Sequence, residues 1–416
     1  MDDTAPESPV LRPLSDQDWL AASELVELVF HEGSVLPEVR EAERSVAELD
    51  RTVAAFDGDT LAGMAEAYSL RMTVPGGHQI PVAGVTWVAV RPTHRRRGLL
   101  TRLMRRQLED VRAAGAESVA ALWASEAPIY GRFGYGLASQ YLDVSIPRAA
   151  AALAGAPSGA GLRLRMVAAA DSLALTEPVY AAIVGRRPGM LARNKAWAQM
   201  RVFDPEGRRH GAGPLQCVLA EDASGVRGYA WYSTVEGWDQ DGLPDGTVRV
   251  REAGALDTAA YAAIWRFLLD LDLTAKVAAR LPVDDPLLHL LADPRKARPR
   301  LRDALFVRLV DVPRALADRR YGSEVDVVLD VTDEFCPWNT GRWRLAGGPA
   351  GAVCERTTAP ADLALTQREL GTAYLGGTSV RALAGAGRVT ELRPGALAAA
   401  SRAFASDIQP FCPFGF

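Results

Sequence analysis

Apolar positions along the chain change period repeatedly, and each change marks an element. LSDQDWLAASELVELVF, residues 14–30, opens on an Asp/Ser cap and continues with apolar residues at helical spacing, which predicts a helix. TVAAFDGDTLAGMAEAYSLRMTV, residues 52–74, predicts a hairpin turning at Asp57-Gly58. Val85 to Val90 is apolar on both faces apart from Thr86, the pattern of a buried strand, and Pro92 stops its ladder. Beyond Gly98, the residues Leu100, Leu103, Met104, Leu108 and Val111 share one helical face, and Gly115 supplies the stop. SVAALWAS, residues 118–125, is the next strand.

The same order then returns. Residues 149–161 (AAAALAGAPSGAG) carry almost no large apolar side chains and read as a boundary. After them VLAEDASGVRGYAWYSTV predicts a second hairpin. TVRVREAGALDTAAYAAIWRFLLDLDL predicts a strand and then a helix with Tyr261, Ile264, Trp265, Leu268 and Leu269 on one face. This is a degenerate repeat of the stretch around residues 84–113. A third unit starts near residue 302 with LFVRLVDVPRAL and the period-two strand EVDVVLDVTD. The expected organisation is 1–148, 149–301 and 302–416, in an α/β (α+β) chain.

Composition agrees with several soluble domains. At 416 residues the chain exceeds one ordinary domain of about 150 residues, and 48% hydrophobic with 24% charged residues is globular usage. A net charge of -4 argues against a nucleic-acid binder. Cys217, Cys336, Cys354 and Cys412 are scattered without a CxxC pair, which predicts a reduced, cytoplasmic chain. The acidic start MDDTAPESPV has no basic segment followed by an apolar one, and no run approaches the roughly 18 apolar residues of a membrane span. DQDGLPDG, residues 239–246, opens like a calcium loop but has Pro244 at the turn glycine and no closing glutamate. His31, His78, His94, His210 and His289 have no ligand spacing, so no metal is expected. The absence of GxSxG weakens a hydrolase reading.

Chemistry concentrates between the strand at 85–90 and the helix after Gly98, where the chain reads Arg95-Arg96-Arg97-Gly98. A bare arginine run is most often a solvated turn. Here it opens a helix, where unpaired N–H groups and the helix dipole favour anions. Gly98 removes a Cβ from the approach, and arginines add charge-assisted bonds to phosphate oxygens. The construction suits a pyrophosphate. The corresponding helix of the second copy opens on Asp257, which would repel phosphate, so only the first copy should bind such a ligand. Downstream, SEAPIYGRFGYG surrounds Tyr130 with Gly131, Gly134 and Gly136, and Phe133 and Tyr135 read as packed aromatics.

The strand, proline, arginine loop, glycine and helix resemble motif A of the GCN5-related N-acetyltransferases (GNAT). VAVRPTHRRRGLLTRLM and ASEAPIYGRFGYG, with HLLADPRKARPRLRDALFVRLVDVPRAL, YLGG and AFASDIQPF…F, resemble the Eis (enhanced intracellular survival) family across nearly the whole chain. The resemblance implies two fused GNAT-like regions, a sterol-carrier-like C-terminal region and a homohexamer. It implies acetyl-CoA-dependent acetylation of amines, aminoglycosides at several positions included. By resemblance, acetyl-CoA contacts fall on Val88, Ala89, Val90, Arg96, Arg97, Gly98, Leu99, Leu100, Thr101, Ser125 and Glu126. The general acid matches Tyr130, and the general base, a C-terminal carboxylate, matches Phe416. Gly415 and Trp87 depart from the glutamate and phenylalanine common at those positions. Glu32 and Trp87 are candidates for the acceptor pocket.

Two other readings remain open. A protein lysine or N-terminal acetyltransferase would use the same coenzyme chemistry in a shallower groove. A carrier of apolar ligands through the C-terminal region would leave the arginine loop and Tyr130 without work. The tail IQPFCPFGF can bury Phe411, Phe414 and Phe416, which fixes the chain end in space; Pro410 and Pro413 reduce the entropy that this loses.

Overall fold

The structure is a computed structural model in which residues 9–33, 35–155, 157 and 159–416 are described. The first strands are β1 (Val10–Pro13), β2 (Val53–Asp57), β3 (Thr60–Thr73), β4 (Gln79–Val90), β5 (Val119–Trp123) and β6 (Gly136–Leu137). There follow β7 (Gln140–Pro147), β8 (Arg163–Ala168), β9 (Gln216–Asp222), β10 (Gly225–Val235), β11 (Gly246–Ala255), β12 (Thr274–Leu281) and β13 (Arg300–Asp303). Last come β14 (Leu305–Leu309), β15 (Val325–Thr332), β16 (Gly341–Gly348), β17 (Gly351–Arg356), β18 (Leu363–Thr366) and β19 (Val389–Glu391).

They form three sheets, ordered β1-β2-β3-β4-β5-β14-β6, β13-β7-β12-β11-β10-β9-β8 and β17-β16-β15-β18-β19. The first and third sheets belong to one compact unit and the second sheet to another. These sheets cross the boundaries expected at 148/149 and 301/302. β7 pairs with β12 and β13, while β14 pairs with β5 and β6. The first two sheets thus each take in, next to one edge, a strand from the far side of an expected boundary. Period-two patterning identifies a strand but not its neighbour.

The first unit is built around one parallel pair. β4 and β5 need a crossover, which the helix Leu99–Ala114 supplies. Its predicted face is buried: Met104, Leu108 and Val111 pack against Ala83, Val85, Ala120 and Leu122. The pairing is short. Val82–Gly84 run beside Val119–Ala121, and beyond that the ladder between the strands ends. On its other edge β4 carries a bulge, because Thr86 faces Glu66 and Ala89 faces Met64, so Trp87 and Val88 together stand opposite Ala65. Trp87 has φ of 49°, a left-handed conformation that a tryptophan rarely adopts. The hairpin between β2 and β3 turns on Gly58–Asp59 rather than Asp57–Gly58, since Asp57 pairs with Thr60 and Gly58 takes φ of 57°.

The second unit repeats this plan. β11 and β12 are parallel, joined by the helix Thr258–Leu269, and their pairing ends at Arg249 opposite Ala278. The register beside β10 shifts between Val250 and Glu252, which places a bulge at Arg251. Ile264, Trp265 and Leu268 pack on Val248, Val277 and Ala279, as their spacing requires.

The chain end is divided between the units. Residues 408–413 cluster with the second and 414–416 with the first. Phe414 is buried, whereas Phe411 and Phe416 are half-buried. A Cβ added to Gly84 would lie 3.0 Å from a ring carbon of Phe416, and one added to Gly415 would lie 3.9 Å from the indole of Trp123. Those last residues therefore lie at the place where β4 and β5 stop pairing.

Candidate active site

A cavity of about 530 Å³ opens in the first unit at this fork. Val88 and Val90 of β4, the loop and first turn of the helix Leu99–Ala114, and the segment Ser125–Tyr130 after β5 line it. The loop is held from behind. The Arg91 N–H donates to the Ala62 carbonyl at 2.9 Å, and the Arg91 Nε to the Leu61 carbonyl at 3.1 Å. One 3-10 turn, Pro92–His94, follows, with His94 Nε2 3.1 Å from Asp57 Oδ2. Arg95 donates through Nε to the Val90 carbonyl at 3.3 Å. Arg96, with φ of 63°, and Gly98, with φ of 75°, both take left-handed backbone.

Gly98 is the residue that caps the helix, and it has no side chain with which to do so. The first intrahelical bond runs from Arg102 N–H to the Gly98 carbonyl at 3.1 Å, so the N–H groups before it have no acceptor in the helix. In the second unit the equivalent end is closed: Asp257 accepts from Ala260 N–H at 2.9 Å. An open, positive helix end beside arginines accommodates an anion; a carboxylate cap excludes one.

Tyr130 closes a short helix, Ala127–Tyr130, with Pro128 in its first turn. The side chain is 6% exposed and meets Tyr135 edge-on at 6.2 Å. Burial, with the charge of Glu126 adding to it, pushes the Tyr130 hydroxyl up to about 12. It therefore remains a proton donor across the physiological range. The turn after it is tightly fixed. Tyr135 N–H returns to the Tyr130 carbonyl at 3.2 Å, and the fully buried Arg308 of β14 donates to the Phe133 carbonyl. Arg308 also pairs with Asp333 at 2.5 Å, and Asp333 in turn accepts from Cys336 N–H at 2.9 Å and Asn339 Nδ2 at 3.0 Å. Gly134 has φ of 81°, and a Cβ there would collide with the Arg308 guanidinium.

Of the residues singled out from sequence, Val88, Val90, Arg96, Gly98, Leu99, Leu100, Thr101, Ser125, Glu126 and Tyr130 line the cavity. Ala89 points into the core with Leu25 and Met64, the alternation expected within a strand. Arg97 is exposed and lies outside the lining. Trp87 stacks on Trp19 at 5.0 Å instead of facing the cavity. Glu32 is exposed, whereas Val29, Phe30 and His31 contribute to the wall. Arg95 of the arginine loop lines it too, as do His31, His94, Ile129 and Arg132, which the sequence did not single out. His94 and Arg95 stand inside the quoted loop motif; His31, Ile129 and Arg132 gave no signal of their own.

Fold and fork together define a GCN5-related N-acetyltransferase. Residues 10–138 match the acetyltransferase (GNAT) domain family, residues 189–309 match a second such family, and residues 312–413 match the sterol carrier protein domain family. The chain is 49% identical over 407 residues to an uncharacterized N-acetyltransferase of Streptomyces avermitilis, covering 98% of this chain and 99% of that one. It is 34% identical over 418 residues to the N-acetyltransferase Eis of Mycobacterium tuberculosis, covering 97% and 98%. The crystal structure of Eis1 from Mycobacterium abscessus superposes with a TM-score of 0.83 at 33% identity, covering 98% of this chain and all of that one. The chain belongs to the Eis family of N-acetyltransferases.

Proposed function

We propose that this N-acetyltransferase moves the acetyl group of acetyl-CoA to amines of a cationic small molecule of the aminoglycoside type, at more than one position. The observation that carries the reading is the uncapped helix end at Gly98, flanked by arginines, at a fork that also receives Tyr130. The backbone N–H groups at Gly98–Thr101 and the guanidinium of Arg96 would hold the pyrophosphate, with Arg97 adding charge from outside the cavity. Val88 and Val90 would flank the acyl arm, and Ser125 and Glu126 the far wall. A backbone N–H near Val90 would polarise the thioester carbonyl. As the amine nitrogen bonds to that carbonyl carbon, the C–S bond breaks and Tyr130 gives its proton to the departing thiolate. The phenol carries its proton at neutral pH, as an ordinary tyrosine does, so it is available to the departing thiolate.

The amine must also lose a proton. We assign that role to the main-chain carboxylate of Phe416, supported by the seating of its ring against Gly84 at the fork. Self-association, as a homohexamer, and a cytoplasmic location complete the proposal. Thiol release from acetyl-CoA, assayed across aminoglycosides, polyamines and lysine peptides, tests it. Turnover with aminoglycosides above the other two classes supports the reading. Preference for lysine peptides would reassign the acceptor to a protein, and no release with any amine would overturn the function.

A further inference from the structure

The second unit keeps a fork without a phosphate-binding loop. Where β11 and β12 cease to pair, a cavity of about 260 Å³ is walled by Val250–Ala255 and Arg280–Pro282. This volume falls between a cavity of about 150 Å³ that takes benzene and the roughly 300 Å³ at which drug-sized pockets begin. It has room for one or two fused rings and none for a coenzyme. The Asp257 cap already bars phosphate from the neighbouring helix end. The walls are mostly apolar, with Ile183, Met190, Trp265 and Phe411 among them.

The charges lining it do not cancel. Glu252 is committed to Arg193 at 3.0 Å and to the Tyr229 hydroxyl at 2.6 Å, and Arg251 to Asp204 at 2.8 Å. Arg187 is paired with Asp284. Two lining cations have no carboxylate partner among the described residues. Arg186 donates only to the carbonyls of Ala182 and Leu256, and Arg280 lies over the Tyr141 ring at 5.2 Å. One lining acid, Asp285, forms no ion pair among the described residues, although the charge of Arg187 reaches it. Asp285, 5% exposed, accepts on Oδ1 from the Tyr261 hydroxyl and from Leu287 N–H at 2.9 Å, and among the described residues no hydrogen bond reaches Oδ2. Burial raises its carboxyl to about 6, so it takes up a proton in mildly acidic solution, where an ordinary aspartate does not.

The tail forms part of the same wall. Ile408, Phe411 and Pro413 line the cavity, and the segment is tied down by Phe411 N–H to the Pro188 carbonyl at 2.9 Å and Gln409 N–H to Asp284 at 2.9 Å. We propose that the fork of the second unit binds an organic carboxylate with an apolar body of one or two rings, and that the bound molecule packs on the tail and holds it closed. The carboxylate is drawn to Arg186 and Arg280, while the body sits among Met190, Trp265 and Phe411. Neither element depends on what the first unit acetylates.

The test titrates 1-naphthoate, and separately 1-naphthylmethylamine, into the full chain saturated with acetyl-CoA. One naphthoate site per chain is expected, with the amine at least tenfold weaker. The exposed pair Arg186→Gln/Arg280→Gln should weaken naphthoate at least tenfold, and Ala253→Trp should abolish it; acetyl-CoA affinity should stay unchanged in both. Hydrogen exchange at the Gln409 and Phe411 amides should slow when naphthoate binds. Absent binding, equal binding of acid and amine, or binding that survives both variants would overturn the site. Binding with unchanged exchange would overturn the contact with the tail.

Discussion

Tyr130 and Glu66 show how burial sets the working state of a single residue. The phenol of Tyr130 is held protonated, and as acid for the thiolate it should contribute roughly 10²–10⁴-fold. Tyr130→Phe is expected to lower kcat by that factor and to leave acetyl-CoA affinity nearly intact; steady-state kinetics beside calorimetry would separate the two. Normal turnover would make Tyr130 a packed aromatic. Glu66, fully buried on β3, accepts from Glu48 N–H at 2.7 Å on one oxygen and has no partner on the other among the described residues. Burial raises its carboxyl to about 7. A raised folded pKa means stability that is complete below the ordinary value of 4.5 and is lost as pH climbs through about 7. Glu66→Gln should therefore be about as stable as wild type at pH 5 and more stable at pH 8, by on the order of 1–3 kcal/mol in denaturant unfolding. A difference that does not depend on pH would contradict this.

At the scale of elements, the arginine loop was legible because its parts are consecutive: strand, proline, arginines, glycine and helix follow one another in the chain. The wall that His31 contributes was not. His31 takes φ of 57° as the residue ending the helix Trp19–Phe30, and the wall ends with it, leaving the neighbouring Glu32 out. A one-residue change of direction at a helix end leaves no mark in periodicity. Nor could the sequence show that β14 steadies the turn after Tyr130 through Arg308, 175 residues away from Phe133. Lysine at 308 cannot reach both the Phe133 carbonyl and Asp333 with a fork of donors. Arg308→Lys should lower kcat more than it raises KM for acetyl-CoA, in a protein that still folds. A folded variant with unchanged kcat would show that the clamp serves packing alone.

Across the whole molecule, the duplication could be read from the repeated strand-helix pattern, and so could the loss of the loop at Asp257. The exchange of β7 and β14 could not, because QYLDVSIP and LFVRL satisfy either sheet equally and tertiary pairing decides between them. Duplication with one loop lost should leave a single coenzyme site per chain, at the fork of the first unit. Calorimetric titration of acetyl-CoA into the full chain measures this directly. The account predicts one site per chain, abolished or weakened at least a hundredfold by Arg96→Glu/Arg97→Glu. Two sites per chain, or an affinity that the double variant leaves unchanged, would contradict it.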